Sequence, residues 1–384
     1  MLRLFFFIAF VFISDLLSSQ NSVRIELHDL PSYHDKSSSI YLAGSFNGWN
    51  PRDDNYKFSN GDGGNYTIEV KLKTGVYEFK LTRGGWDKVE CTSTGADVLN
   101  RSLKVNADTT ITISIQGWKD RFSSEVLKKR STGGKNVIII DTAFLIPQLN
   151  RHRRVWIYLP EDYKNSQKRY PVLYMHDGQN IFDDATSYSG EWGIDECIDT
   201  MKKRCIVVGI DNGGDKRLNE YCPYDFSLTG IAASNISGKG EGNEYTEFLV
   251  KTLKPYIDKH YRTLKDKEDT WIAGSSMGGL ISMYAILKYP KVFGVAGVFS
   301  PAFWVGPEIF NDITKKGKKI KGKVYFYAGS DEGENMVPDM MKAFHEMTNV
   351  SRSTMTAIVR DGGKHNEQTW RKEFALFYNW VLEN

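Results

Sequence analysis

The residues best suited to chemistry lie in the stretch TWIAGSSMGGLISMYAILKYP, residues 270–290, where two serines stand side by side between glycines. The pattern G-x-S-x-G fits in one register only. Ser275 would need glycines at 273 and 277, where alanine and methionine stand, so the candidate nucleophile is Ser276 in Gly274-Ser275-Ser276-Met277-Gly278. Such spacing has a physical reason. A nucleophilic serine must project from a sharp turn at the end of a strand, and small neighbours give the chain room. The helix behind the turn aims its free N–H groups at the oxyanion that develops during attack. A chain of this length contains G-x-S-x-G by chance roughly 0.1 to 0.2 times. The strand-like DTWIAG before the motif and the helix-like GGLISMYAILKYP after it therefore carry much of its weight.

A serine hydroxyl is inert near neutral pH without a base. In the order serine, acid, histidine the base must follow Ser276, which leaves His345 and His365 of the seven histidines. His345 sits in the helical pattern DMMKAFHEM. His365 follows a strand in IVRDGGKHNEQTW, on a glycine-rich loop that enters a helix, and is the candidate base. The acid that orients the imidazole must lie between the two, after a strand. KVYFYAGSDEGENM offers Asp331, Glu332 and Glu334 there, with Glu332 as first choice and Asp331 as the alternative. The N–H of Met277 is one expected oxyanion donor. The other comes from the loop after an earlier strand, YPVLYMHDGQNIFD, through Gly178 or Gln179, while His176 in that segment reads as structural.

These residues need a scaffold that places several strand ends together. From residue 136 onward, strand-like runs (VWIYLP, YPVLYMHDG, CIVVGIDN, TWIAG, AGVFS, KVYFYAG, TMTAIVRDG) alternate with helix-like ones (EYTEFLVKTLKPYIDKHY, PDMMKAFHEM, QTWRKEFALFYNWVLE). That alternation predicts one doubly wound α/β domain over 136–384 with a mainly parallel sheet. Residues 21–118 instead show short alternating runs with glycine-containing turns. They are expected to form an immunoglobulin-like β-sandwich, with a hairpin in KLKTGVYEFKL around Thr74-Gly75. Residues 119–135, KDRFSSEVLKKRSTGGK, read as a linker.

A formal charge of +3 on 384 residues argues against an electrostatically driven nucleic-acid binder. Residues 1–20 combine Arg3, a short apolar run and Ser18-Ser19-Gln20, which reads as a secretory leader and predicts a secreted or periplasmic product with no membrane association. The four cysteines show no zinc spacing; an oxidising compartment would permit a Cys205–Cys222 disulfide, and free buried thiols are the other reading. No metal or organic cofactor is expected.

With these pieces in place, VLYMHDGQNIFDDATSYSGEWGIDE, GSSMGG, AGSDEG and GGKHNEQTWRKEF together resemble the putative esterase family, over residues 153–380. That α/β-hydrolase family includes feruloyl-type carbohydrate esterases and siderophore esterases. The resemblance implies Ser276 as nucleophile and His365 as base. It places the acid three residues after Gly329, at Glu332, where many members have aspartate. It also sets Trp192, in GEWGIDE, on a loop flanking the active site as a substrate contact.

The N-terminal segments YLAGSFNGWNP and VYEFKLTRGGW are similar to glycogen- and starch-binding modules of the family 48 and family 20 types. There, two tryptophans and a lysine hold the glucan, and by motif these are Trp49, Trp86 and Lys80. The TRGGW segment is one residue shorter than in the glycogen-binding form. A one-residue change alters which way side chains face, so Trp49 and Trp86 are not expected both to face solvent on one surface, and the module is expected mainly to brace the catalytic domain. The combined expectation is a serine esterase acting on esterified polysaccharide or oligosaccharide, with glucan or xylan binding by the N-terminal region as a further expectation. The alternatives are an esterase for catecholate siderophores and a non-catalytic carbohydrate-binding protein.

Overall fold

A computed structural model describes residues 20–61, 66–122, 130–188, 190–228 and 236–383. The leader other than Gln20, and 123–129 of the linker, lie outside these residues.

In the N-terminal region two sheets enclose one core. Ser59–Asn60, Tyr66–Leu72, Asn21–Leu27 and Thr109–Ile113 form the first, in that order, and Tyr41–Gly44, Gly75–Thr82 and Arg101–Val105 form the second. Alternate residues of both point inward: Val23, Ile25, Ile68 and Val70 from one, Leu42, Phe79, Leu81 and Leu103 from the other. The expected hairpin at Thr74-Gly75 does not form. Tyr66–Leu72 and Gly75–Thr82 belong to different sheets, and the short connection carries the chain across the core. Alternation identified both strands but could not assign their partners.

The larger region is built on eight strands: β1 Val137–Ile146, β2 Arg151–Tyr158, β3 Val172–His176, β4 Ile206–Ile210, β5 Thr270–Ser275, β6 Val295–Phe299, β7 Lys323–Gly329 and β8 Thr354–Arg360. Their order is β1-β2-β4-β3-β5-β6-β7-β8. Pairing is antiparallel for β1–β2 and β2–β4, and parallel from β4 to β8. Strand β1 was not apparent from the sequence. Register shifts between Ile139 and Asp141 and between Asp141 and Phe144 break its alternation.

Both faces of this sheet are covered, which is why its central strands read as continuous apolar runs. Val172, Tyr174, Val208 and Ile272 point into one core, while Leu173, Met175, Val207 and Trp271 point into the other. The helix Met277–Lys288 is buried from Met277 to Leu287 on the first face. Helix Glu367–Leu382 lays Trp370, Phe374, Phe377, Tyr378 and Val381 against the second. The same geometry decides between a Cys205–Cys222 disulfide and free thiols. The two residues belong to opposite cores, and all four cysteines are free thiols. Residues 130–135 lie along the larger region: Ser131 and Thr132 donate to Asp183, and Gly134 N donates to Asp195.

Candidate active site

Strand β5 ends at Ser275 and the helix begins at Met277, so Ser276 forms the whole junction. Its backbone has φ 59° and ψ −121°, a strained setting for a residue with a side chain. Hydrogen bonds hold it there: Ser276 N donates to Phe299 O at 3.0 Å, and Ser276 O accepts from the amides of Gly279, Leu280 and Ala302. Ser275 is 6% exposed within the strand, whereas Ser276 is half-buried. A Cβ on Gly274 would stand 2.9 Å from His176 Cδ2 and 3.0 Å from Gly278 C, which is the steric reason for glycine there.

His365 and Glu332 arrive on the loops after β8 and β7. His365 Nδ1 and Glu332 Oε2 are 2.9 Å apart, and the Glu332 carboxylate is fully buried. Its other oxygen, Oε1, accepts from Gly329 N at 2.7 Å and from Ser300 Oγ at 2.8 Å. Asp331 is exposed, with Ser330 Oγ 3.3 Å from its carboxylate. The geometry thus brings Glu332 rather than Asp331 to the imidazole. The His365 ring meets Trp370 edge to face at 4.9 Å. His345 is exposed on helix Met336–Val350.

The loop after β3 carries the second set of expected amide donors. Asp177 is left-handed (φ 56°), and Gly178–Asn180 then form one tight turn. A side chain at 178 would meet the backbone of Gly209 and Ile210 at 2.8 Å, so only glycine lets the turn lie on β4. The Asp177 carboxylate accepts from Arg217 (2.7 and 2.9 Å) and from Asn212 Nδ2 (2.7 Å). Burial pushes its pKa up, but Arg217 and Asn212 more than offset this and hold it below the usual carboxylate value. His176 is buried, with Nδ1 2.9 Å from Tyr245 Oη; burial lowers its pKa to about 3, so it is neutral at physiological pH. Asn180 Nδ2 donates to Glu367 Oε1 at 3.2 Å, joining this loop to the segment two residues beyond His365. Neither Arg217 nor Asn180 was expected from the sequence, because each acts through a partner dozens of residues away.

Arg217→Met is expected to cost about 2 kcal/mol of stability near neutral pH. That is below the usual cost of breaking a buried pair, since the Arg217 side chain keeps 26% exposure. A depressed carboxylate pKa stabilises above its unfolded value, and that contribution disappears as pH falls through the folded value. The difference between wild type and variant, read by urea denaturation, should therefore shrink on acidification.

A cleft of about 570 Å³ opens beside His365. Its walls include Glu78, Lys80, Asn100 and Ser102 from the N-terminal region, and Tyr188 and Gln368 from the larger one. Two expectations are revised here. Trp192 is 3% exposed, stacked on Trp370 at 5.6 Å and set against Phe299, so it backs the residue beside His365 and offers no face to a ligand. Trp49 and Trp86 lie 6.3 Å apart, contrary to the expectation that they do not share a surface. Gly84 at φ 85° and the tight turn Trp86–Lys88 swing the second indole back, leaving it 44% exposed. Lys80 lines the cleft, whose walls do not include either tryptophan.

The fold is of the α/β-hydrolase type, and the chain is a serine carboxylic ester hydrolase. It belongs to the putative esterase family, whose model matches residues 146–377. The uncharacterized protein YbbA of Bacillus subtilis is 23% identical over 240 residues, 60% of this chain and 92% of that one. An endo-1,4-beta-xylanase/feruloyl esterase of Xylanibacter ruminicola is 29% identical over 222 residues, which are 56% of this chain and 27% of that longer protein. The enterobactin esterase FES of Shigella flexneri, solved in the presence of enterobactin, superposes with a TM-score of 0.50 at 13% identity, over 95% of this chain and 94% of that one.

Proposed function

We propose that this chain is an exported esterase that releases feruloyl- or acetyl-type acyl groups from esterified polysaccharide or its oligosaccharides, through Ser276, His365 and Glu332. The observation that carries the catalytic reading is the hydrogen bond from the imidazole Nδ1–H to a fully buried carboxylate. It fixes the tautomer and leaves Nε2 as the proton acceptor. Ser276 Oγ attacks the ester carbonyl as its proton passes to Nε2. The N–H groups of Met277 and of Gly178 or Gln179 stabilise the oxyanion. His365 then protonates the departing alcohol, water attacks the acyl-enzyme with His365 again as base, and the acid leaves.

The carbohydrate side of the reading is supported by the feruloyl esterase relative and by the polar lining of the cleft. Hydroxyl-rich ligands need such partners, since a buried polar group without one is costly. Lys80→Ala is expected to raise KM for a feruloylated xylo-oligosaccharide at least about tenfold relative to its effect on p-nitrophenyl acetate, the weight of one hydrogen bond to a charged group. Equal effects on the two substrates would remove Lys80 from the substrate site.

A siderophore esterase is the second reading, favoured by a likeness to the FES fold that extends over the N-terminal strands as well. Release of acid from feruloyl or acetyl oligosaccharides, compared with cleavage of a cyclic tricatecholate triester, separates the two. Residues 1–20 support export, and N-terminal sequencing of the mature protein tests it.

A further inference from the structure

The Glu332 carboxylate sits at one end of a hydrogen-bonded chain that the reaction just described does not call upon. Trp370 Nε1 donates to Ser300 Oγ at 2.8 Å, and Ser300 Oγ lies 2.8 Å from Glu332 Oε1. An indole N–H can only donate. With one lone pair of Ser300 Oγ so engaged, the hydroxyl hydrogen is directed at the carboxylate. Ser300 is fully buried, so water does not compete for either bond.

The backbone at Ser300 is unusual. It precedes Pro301, and a residue before proline is pushed towards extended conformations, yet Ser300 has φ 41°. Ser300 N donates to Tyr327 O at 2.6 Å, which locks the residue across to β7, the strand leading into the Glu332 loop. A strained residue persists only where its surroundings over-determine it, and such residues cluster at functional sites. Trp370 also meets the His365 ring edge to face, and Trp192 stacks on Trp370. One buried indole thus touches the base directly and the acid through a single hydroxyl.

We propose that Ser300, oriented by Trp370, is a positioning residue that fixes the Glu332 carboxylate so that Oε2 alone faces His365. The proposal rests on the reading of Glu332 as the acid. The hydroxyl and Gly329 N together hold Oε1, so the carboxylate cannot turn away from His365 without losing two hydrogen bonds.

The test is a double-mutant cycle on kcat for p-nitrophenyl acetate, using Ser300→Ala, Ser300→Gly, Glu332→Gln and the combinations. Ser300→Gly is informative because glycine accepts a positive φ without strain. The expected result is a loss in kcat of at least about tenfold for both Ser300 variants, with KM within about twofold, from loss of a hydrogen bond to a charged group. In the Glu332→Gln background the same substitutions should cost less than about twofold, because residues acting as one unit are not additive. Wild-type turnover in Ser300→Gly would reduce the serine to a backbone role and overturn the proposal. An equal loss in both backgrounds would overturn it too, by showing that Ser300 acts independently of Glu332. Should Ser300→Ala fail to fold, Ser300→Gly and Trp370→Phe carry the same comparison. Undiminished activity of Glu332→Gln itself would instead remove the acid assignment, and the two failures are thereby distinguished.

Discussion

Replacing Ser276 by alanine is expected to lower kcat on short p-nitrophenyl esters by a factor of about a thousand or more, because the whole acyl-enzyme route is lost. Ser275→Ala should stay within about tenfold of wild type. The two residues are adjacent and chemically identical, so the contrast isolates position. Ser275 is the last residue of β5 and buried. Ser276 stands on the strained turn, with its backbone pinned to Phe299 and Ala302 and a helix starting directly behind it. Labelling by a fluorophosphonate should follow the same pattern, absent in Ser276→Ala and retained in Ser275→Ala. Equal losses in the two variants, or a greater loss at Ser275, would overturn the assignment.

Glu332→Gln is the second large expected effect, a loss of about a thousandfold in kcat, against less than about twofold for Asp331→Asn. An amide at 332 can present its NH₂ to His365 Nδ1, which selects the wrong tautomer and cannot stabilise the imidazolium that forms on proton transfer. The structural contrast is direct. The Glu332 carboxylate is fully buried and meets His365, Gly329 and Ser300, while Asp331 is exposed. Steady-state kinetics on both variants is the measurement. A crippled Asp331→Asn beside a near-wild-type Glu332→Gln would transfer the role to the neighbour.

Much of the scaffold was legible in the sequence because each element announces itself locally. Strands covered on both faces read as apolar runs, as in LYM and IVV, and the helix of residues 367–382 shows its buried stripe at helical spacing. The candidate nucleophile was legible for the same reason. Gly274 is required by its approach to Gly278 and to His176 on the neighbouring strand, and Gly278 lies close to the same histidine, so the constraint is compressed into five letters. Chain order left His345 and His365, and the glycine-rich loop after a strand singled out His365.

Tertiary structure decided whatever depends on two distant segments meeting. Choosing Glu332 over Asp331 is a matter of one residue of register in a loop, and that register is set by Gly329, Ser300 and His365 arriving from three different strands. Trp192 lies in a segment rich in site-like residues, yet stacking on Trp370 puts it in the core. The strands flanking Thr74-Gly75 alternate as a hairpin would, but burial of one face can be met in either sheet, and only the enclosed core chose. Trp49 and Trp86 meet because a left-handed Gly84 and a tight turn return the chain, a backbone choice that residue types permit without dictating. Residue type and spacing thus determined which elements form and which hydroxyl stands on the turn. The partners of each buried polar group were decided by packing, since a buried carboxylate or hydroxyl must find its hydrogen bonds wherever the fold brings donors, however far apart in the chain.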